Sequence, residues 1–219
     1  MASDFPDQDW SRASLVLQAR QSGVMDISIL NALEAIPRER FVPEEYLEHA
    51  YRDVSIPLPH GQSMISAIRI AKFLNCVHVD APTNKILEIG TGSGYSGALL
   101  SKLCKRLYTV ERHRDLSVAA RSVWLELQIN NIVEHVGNGA QGWAYQAPFN
   151  HIFVWGALAE IPTELGDQLV EGGSMLFAKG DSSQSQDIVV ATKVDGVLDE
   201  QFFGKTRLPS IWLGKSSAS

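Results

Sequence analysis

Basic charge is in short supply in this chain. Its 25 acidic residues outnumber 19 lysines and arginines, for a formal net charge of −6. A protein that grips a nucleic-acid backbone neutralises phosphates with a basic face, so nucleic acid is not an expected partner. Cysteine is scarcer still. Cys76 and Cys104 are too few and too unpatterned for a disulfide framework or a cysteine zinc site, and they suit a reducing cytoplasm. No apolar run reaches the ~18 residues of a membrane span, and the opening Met1–Trp10 is polar and acidic, unlike a secretory signal. Internal repeats are missing, and low-complexity sequence is confined to the Ser182–Gln186 loop and a serine-rich end. What remains, 219 residues with 45% hydrophobic and 20% charged, fits one large α/β domain with a short appendage.

The chain is organised around Lys85 to Leu100, KILEIGTGSGYSGALL. Lys85 to Glu88 reads as a buried strand, Gly90-Thr91-Gly92-Ser93-Gly94 as a turn, and Tyr95, Leu99 and Leu103 as one face of a helix. A strand, a glycine-rich turn and a helix in that order build a nucleotide-type site, because glycine permits positive φ and the helix start offers free N–H groups. The next apolar strand, Arg106 to Val110, ends in Glu111. That is about 20 residues past the first glycine, where an acid can take both hydroxyls of a ribose. A dinucleotide fingerprint needs glycine at position 95, which is tyrosine here, so a nicotinamide cofactor is excluded. The pattern Glu88-x-Gly90-x-Gly92-x-Gly94 instead resembles the first motif of class I methyltransferases, which implies S-adenosylmethionine (SAM) as cofactor.

Either side of this centre, helices and strands alternate. Helices are expected from Ser11 to Gly23, from an Asp26 cap to Pro37, over Ile65–Val77 and over Leu116–Leu127. A further helix is expected from Pro162 to Gly172-Gly173, and Pro57 and Pro59 hold the stretch before Gln62 extended. Strands are expected at 132–136, 151–155, 175–178, 188–192 and 201–203, the last two joined around Asp195-Gly196. The expected fold is therefore α/β, a doubly wound and mostly parallel Rossmann-like sheet with an N-terminal helical extension and an antiparallel C-terminal edge. Residues 1–80 are expected to form a substrate-side segment packed on a cofactor-binding core of residues 81–219.

Several separate stretches resemble the protein-L-isoaspartate O-methyltransferase family, from about residue 12 to about residue 210. They are Gly23-Val24-x-Asp26, Ile36-Pro37-Arg38 with Phe41-Val42-Pro43, Ala50-Tyr51, and Leu58-Pro59-x-Gly61-Gln62. In the core they are Leu87 to Tyr95, Tyr108 to Glu111, Gly137-Asn138-Gly139 with Gly142-Trp143, Ala147-Pro148-Phe149, and Gln168-Leu169 with Gly172-Gly173. The resemblance implies a SAM-dependent carboxyl O-methyltransferase acting on a protein or peptide that bears an isoaspartyl carboxylate. It implies cofactor contacts at Glu88, Gly90, Thr91, Gly92, Ser93, Gly94, Glu111, Arg112, Asn138 and Gly139, with no metal.

Two departures stand out. The family has an active-site serine shortly after its Gly-Gln, and a gapless match puts Ile65 there, with Ser63 and Ser66 as the flanking hydroxyl candidates. The family's Gly-Asp-Gly is Gly137-Asn138-Gly139 here, where the asparagine either accepts from the adenine or only forms a sharp turn. Two alternatives follow from the altered serine segment: a methyltransferase of the same fold with another substrate, or a non-catalytic SAM-binding homologue. Trp143 and Trp155 are candidates for the pocket wall or the core, His60 for the substrate mouth or the exposed surface, and Arg112 and His113 for the adenine edge or the solvated surface.

Overall fold

A computed structural model describes residues 8–79 and 84–211. The chain opens with helices α1, Gln8–Gln21, and α2, Ile27–Ala35. Asp26 caps α2 as expected, its carboxylate accepting from the Ser28 N–H at 2.7 Å. Two 3₁₀ turns follow, then strands β1, Ile56–Leu58, and β2, Gln62–Met64, and helix α3, Ala67–Leu74. The central run is β3, Lys85–Ile89; α4, Tyr95–Ser101; β4, Arg106–Glu111; α5, Arg114–Glu126; and β5, Ile132–Val136. Then come β6, Phe149–Leu158; α6, Thr163–Asp167; β7, Leu169–Lys179; β8, Gln186–Val194; and β9, Val197–Thr206.

Seven strands form one sheet in the order β5-β4-β3-β6-β7-β8-β9. The first five are parallel, and β8 and β9 run antiparallel at the C-terminal edge. β3 carries the chain in both directions, to β4 on one side and to β6 on the other. It is the switch point of the sheet, where a crevice opens beyond the strand ends. Both faces are covered by apolar side chains. One cluster runs from Leu15 and Leu33 through Tyr95 and Leu99 to Phe153 and Leu176; the other gathers Leu87, Val110, Ile152, Met175 and Val189. The first cluster thus joins the N-terminal helices to the sheet.

Four expectations need correction. The proline-rich stretch is not extended throughout but folds into the β1–β2 hairpin, because His60 (φ 61°) and Gly61 (φ 66°) turn the chain in the left-handed region. The helix expected from Ile65 begins at Ala67, since Ser66 is its cap: the hydroxyl accepts from the Arg69 N–H at 3.3 Å. The helix after Pro162 stops at Asp167 instead of Gly172. Gln168 breaks it by turning its amide to Glu164 O and Gln141 O, and Gly172-Gly173 lie within β7. β6 runs through Gly156-Ala157 because Ala157 is paired with Ala178 of β7. The expected turn at residues 80–84 and both chain ends fall wholly or partly outside the described residues.

What holds the glycine turn in place is a buried carboxylate. Glu88 is fully buried near the end of β3. Its Oε1 accepts from the Ser96 hydroxyl of α4 at 2.6 Å and from the Trp155 indole of β6 at 2.8 Å; its Oε2 accepts from the Thr109 hydroxyl of β4 at 2.8 Å. Thr109 in turn meets the Thr91 hydroxyl at 2.6 Å. Burial pushes the Glu88 pKa from 4.5 up to about 7, against the three donors that favour the anion. The neutral acid also fits: a proton on Oε2 can be given to Thr109, which then turns its own proton to Thr91.

The folded pKa lies above the unfolded one, so the folded chain keeps a proton that the unfolded chain releases. Stability from this group is complete below about pH 4.5 and is lost as pH rises through about 7. Glu88→Gln, neutral at every pH, should therefore gain on the wild type as pH rises from about 5 to 8, by on the order of 2–3 kcal/mol. Urea denaturation across that range checks this, and a constant difference between the two proteins would contradict it.

Candidate active site

The crevice at the switch point is a cavity whose walls come from several separate stretches of the chain. The ends of β3 and β4 supply Ile89-Gly90 and Val110-Glu111, the glycine turn supplies Thr91 to Ser93, and Gly139 follows β5. Trp155 of β6 and the segment Pro209–Ile211 close one side, and Gln62 and Ser63 of the hairpin, with Ile65 just after it, close another.

Glycine is required at two of these positions for different reasons. Gly92 has φ 52°, and its bare backbone sits under Leu58 of β1, whose Cδ1 would lie 3.6 Å from an added Cβ. At Gly139 an added Cβ would come within 2.4 Å of Ile89 Cγ2. Any side chain there would push the loop after β5 off the end of β3.

Glu111 is 6% exposed and braces the glycine turn across the cavity. Its Oε2 accepts from the Gly92 N–H at 2.9 Å and its Oε1 from the His113 N–H at 3.0 Å. Each carboxylate oxygen retains a second lone pair, so the group can still accept from a diol. At the outer rim the hairpin is fastened to α5. The His60 and His113 rings stack at 4.2 Å with planes 1° apart, and His60 Nε2 lies 2.7 Å from Asp115 Oδ2. Desolvation lowers the His113 pKa, which favours the neutral form of the stacked ring.

Of the residues singled out from sequence, Ser63, Gly90, Thr91, Gly92, Ser93, Glu111, Arg112 and Gly139 all line this cavity. Four do not. Glu88 lies behind the wall as the brace described above. Gly94 packs against α5, where an added Cβ would be 2.6 Å from Ala120 Cβ, and its carbonyl accepts from the Trp124 indole. Ser66 is 1% exposed and engaged as the α3 cap. Asn138 turns its side-chain oxygen to the Ala140 N–H at 3.1 Å, an Asx turn. The tryptophans divide: Trp155 faces the cavity, whereas Trp143 stacks on His135 and meets Tyr108 edge-on.

Sequence reasoning missed the Pro209–Ile211 wall. Ser210 bridges to Ala157, the Ala157 N–H donates to Pro209 O, and Ile211 sits where a side chain at Gly156 would be. Only Gly156 carried a signal, as a glycine inside an apolar strand that marks a close approach by another backbone.

The cavity's chemistry suits SAM. A carboxylate with free lone pairs faces a diol or a cation well, the glycine turn admits a ligand to bare backbone, and Ile89, Val110 and Trp155 offer apolar surface. Comparison with known proteins agrees. Residues 10–209 match the family model described as protein-L-isoaspartate(D-aspartate) O-methyltransferase. A protein-L-isoaspartate O-methyltransferase from Parvibaculum lavamentivorans is 37% identical over 212 residues, covering 95% of each chain. Among solved structures, a protein-L-isoaspartate O-methyltransferase superposes with a TM-score of 0.82 at 27% identity, covering 91% of this chain and 65% of that one. A Plasmodium falciparum structure in complex with S-adenosyl-L-homocysteine also has a TM-score of 0.82, at 20% identity and with 93% and 99% coverage, and it shows the shared fold. The chain belongs to the protein-L-isoaspartate(D-aspartate) O-methyltransferase family and is a SAM-dependent methyltransferase.

Proposed function

We propose that this protein methylates the carboxylate of isoaspartyl residues in peptides and damaged proteins, using SAM. The observation that carries this reading is that Glu111 and the glycine turn share one cavity with Ser63 of the hairpin and Ile65 just after it. SAM supplies an electrophilic methyl group. On this reading Glu111 takes the ribose hydroxyls, the backbone of Gly90 to Gly92 takes the amino-acid end, and Gly139 borders the adenine. A substrate carboxylate, with a pKa near 4, is already ionised at neutral pH and needs no general base. The protein's task is to aim one oxygen and keep water out. Ile65, Ile70 and Trp155 give the cavity the apolar lining that exclusion of water requires. The segment before residue 80 then forms the substrate side. The two free cysteines suit a reducing cytoplasm.

Ser63 is the hydroxyl we assign to aiming. It is exposed on β2 and lines the cavity, whereas Ser66 is buried as a helix cap. Ile65, two residues on, lines the same cavity and makes that spot apolar. This favours one second reading, that the scaffold methylates a different carboxylate.

Two measurements test the proposal. Glu111→Ala should weaken SAM binding by about 2–4 kcal/mol, from two charge-assisted bonds of about 1.5–3 each that are partly additive. That is roughly 30- to 900-fold by calorimetry; unchanged SAM affinity would remove Glu111 from its role, and binding of NADH would overturn the assignment of the cavity to SAM. Labelled-methyl transfer from SAM should favour an isoaspartyl peptide over its aspartyl control. In that assay Ser63→Ala should lower kcat/KM roughly 10- to 150-fold, the worth of a donor to an ionised acceptor. Ser66→Ala should leave the rate alone and cost about 1 kcal/mol of stability as a lost cap. A wild type that binds SAM yet ignores both peptides would sink the isoaspartyl assignment and leave the second reading.

A further inference from the structure

Arg38 is a buried cation that makes no direct ion pair among the described residues, its nearby support coming from Tyr95 and Asp53. It is fully buried in the 3₁₀ turn after Pro37. One nitrogen, Nη2, donates to Ile65 O at 2.9 Å, while Nε and Nη1 have no hydrogen-bond partner among those residues. The guanidinium lies over the Tyr95 ring, 4.7 Å from its centre, and interacts with the buried Tyr95 hydroxyl. An unpaired buried charge is costly, and a single bond to a carbonyl needs only a neutral donor. Both residues that Arg38 touches, Ile65 and Tyr95, line the cavity. The charge therefore sits one side-chain layer behind the wall, in surroundings where its field is weakly screened.

We infer that Arg38 is a positioning residue for the substrate carboxylate, a fixed positive charge that draws an anion to the Ile65–Tyr95 side of the cavity without touching it. Arginine suits this task because it stays charged when buried, where lysine readily gives up its proton. The inference rests on the carboxylate reading of the substrate. Its consequence for the cofactor is separate and opposite in sign. The same field opposes the sulfonium cation of SAM and is indifferent to the neutral sulfur of S-adenosylhomocysteine (SAH), so Arg38 also favours the product over the donor.

Arg38→Gln keeps a donor for Ile65 O and removes the charge. With no peptide present, calorimetry should show the SAM-to-SAH affinity ratio moving towards SAM by roughly 10- to 30-fold, the Coulomb scale for unit charges about 8–12 Å apart at an effective dielectric near 20. The KM for an isoaspartyl peptide should rise by a similar factor while kcat changes little. A structural defect weakens SAM and SAH alike, so equal weakening, or an unchanged ratio in a folded variant, overturns the proposal.

Should the glutamine variant not fold, Arg38→Lys carries the same test within one protein. The groups facing this position are Tyr95 of α4 and Tyr51 and Asp53 after the second 3₁₀ turn. Burial pushes the Tyr95 hydroxyl up to about 12, and burial with the Glu39 hydrogen bond raises that of Tyr51, so neither ionises near neutrality. A buried lysine loses its proton as pH rises. The lysine variant should then drift towards SAM preference with rising pH while the wild type stays level, and a level ratio in both counts against Arg38. Wild-type failure to methylate the peptide, with the cofactor ratio responding as described, would instead refute the substrate assignment and leave the field at Arg38 standing.

Discussion

The fold of this protein converges on one carboxylate. Glu88 stands near the end of the central strand β3 and gathers a donor from each neighbour: Ser96 from α4, Thr109 from β4 and Trp155 from β6. Three elements remote in sequence are thereby held in register around the glycine turn they surround. The arrangement is costly by itself, since burial raises the acid's pKa to about 7. It persists because every lone pair in use has a donor and because the neutral form is accommodated through Thr109 and Thr91. Gly97 is part of the same constraint, for an added Cβ would come within 2.9 Å of Glu88 Oε2. Cofactor binding depends on this network indirectly: it positions the turn and Trp155, and these reach the cavity.

Local chemistry was legible in the sequence, and contacts between distant segments were not. Asp26 announced a helix start, and Asp195-Gly196 announced a hairpin that the structure closes with φ of 51° and 77°. The strand, glycine turn and helix around Gly90–Gly94, and the acid at the end of the following strand, are statements about spacing, which sequence carries directly. Which way a residue faces is another matter. Glu88 and Ile89 are adjacent on a strand, and only the layers packed above and below decide that the carboxylate goes inward to Ser96 while Ile89 meets the cavity. Ser66 shows the same limit. A serine beside a catalytic position in the linear match proved to be a helix cap, a role that depends on where α3 begins. Arg38 carried no signal beyond a family-like motif, because its meaning lies in the partners it lacks.

The two halves of the cavity are built on supports of unequal stiffness. The sheet half grows from the ends of β3 and β4 in the middle of a seven-stranded sheet, with Glu88 below and Glu111 across. The hairpin half grows from two three-residue strands, fastened by the His60–His113 stack, the His60–Asp115 contact and the Arg38 bond to Ile65 O. A two-stranded hairpin is marginal unless something else covers it, so its geometry depends on these fastenings and on Ile56 and Met64, which are buried in the main apolar cluster. One side of the cavity therefore rests on the hairpin and the other on the ends of the sheet strands. That is why Ile65 can line the hairpin side of the cavity while Gly90, Gly92 and Glu111 stay arranged by the sheet. It is also why the choice of substrate must be argued from Ser63, Ile65 and the charge behind them, and not from the sheet.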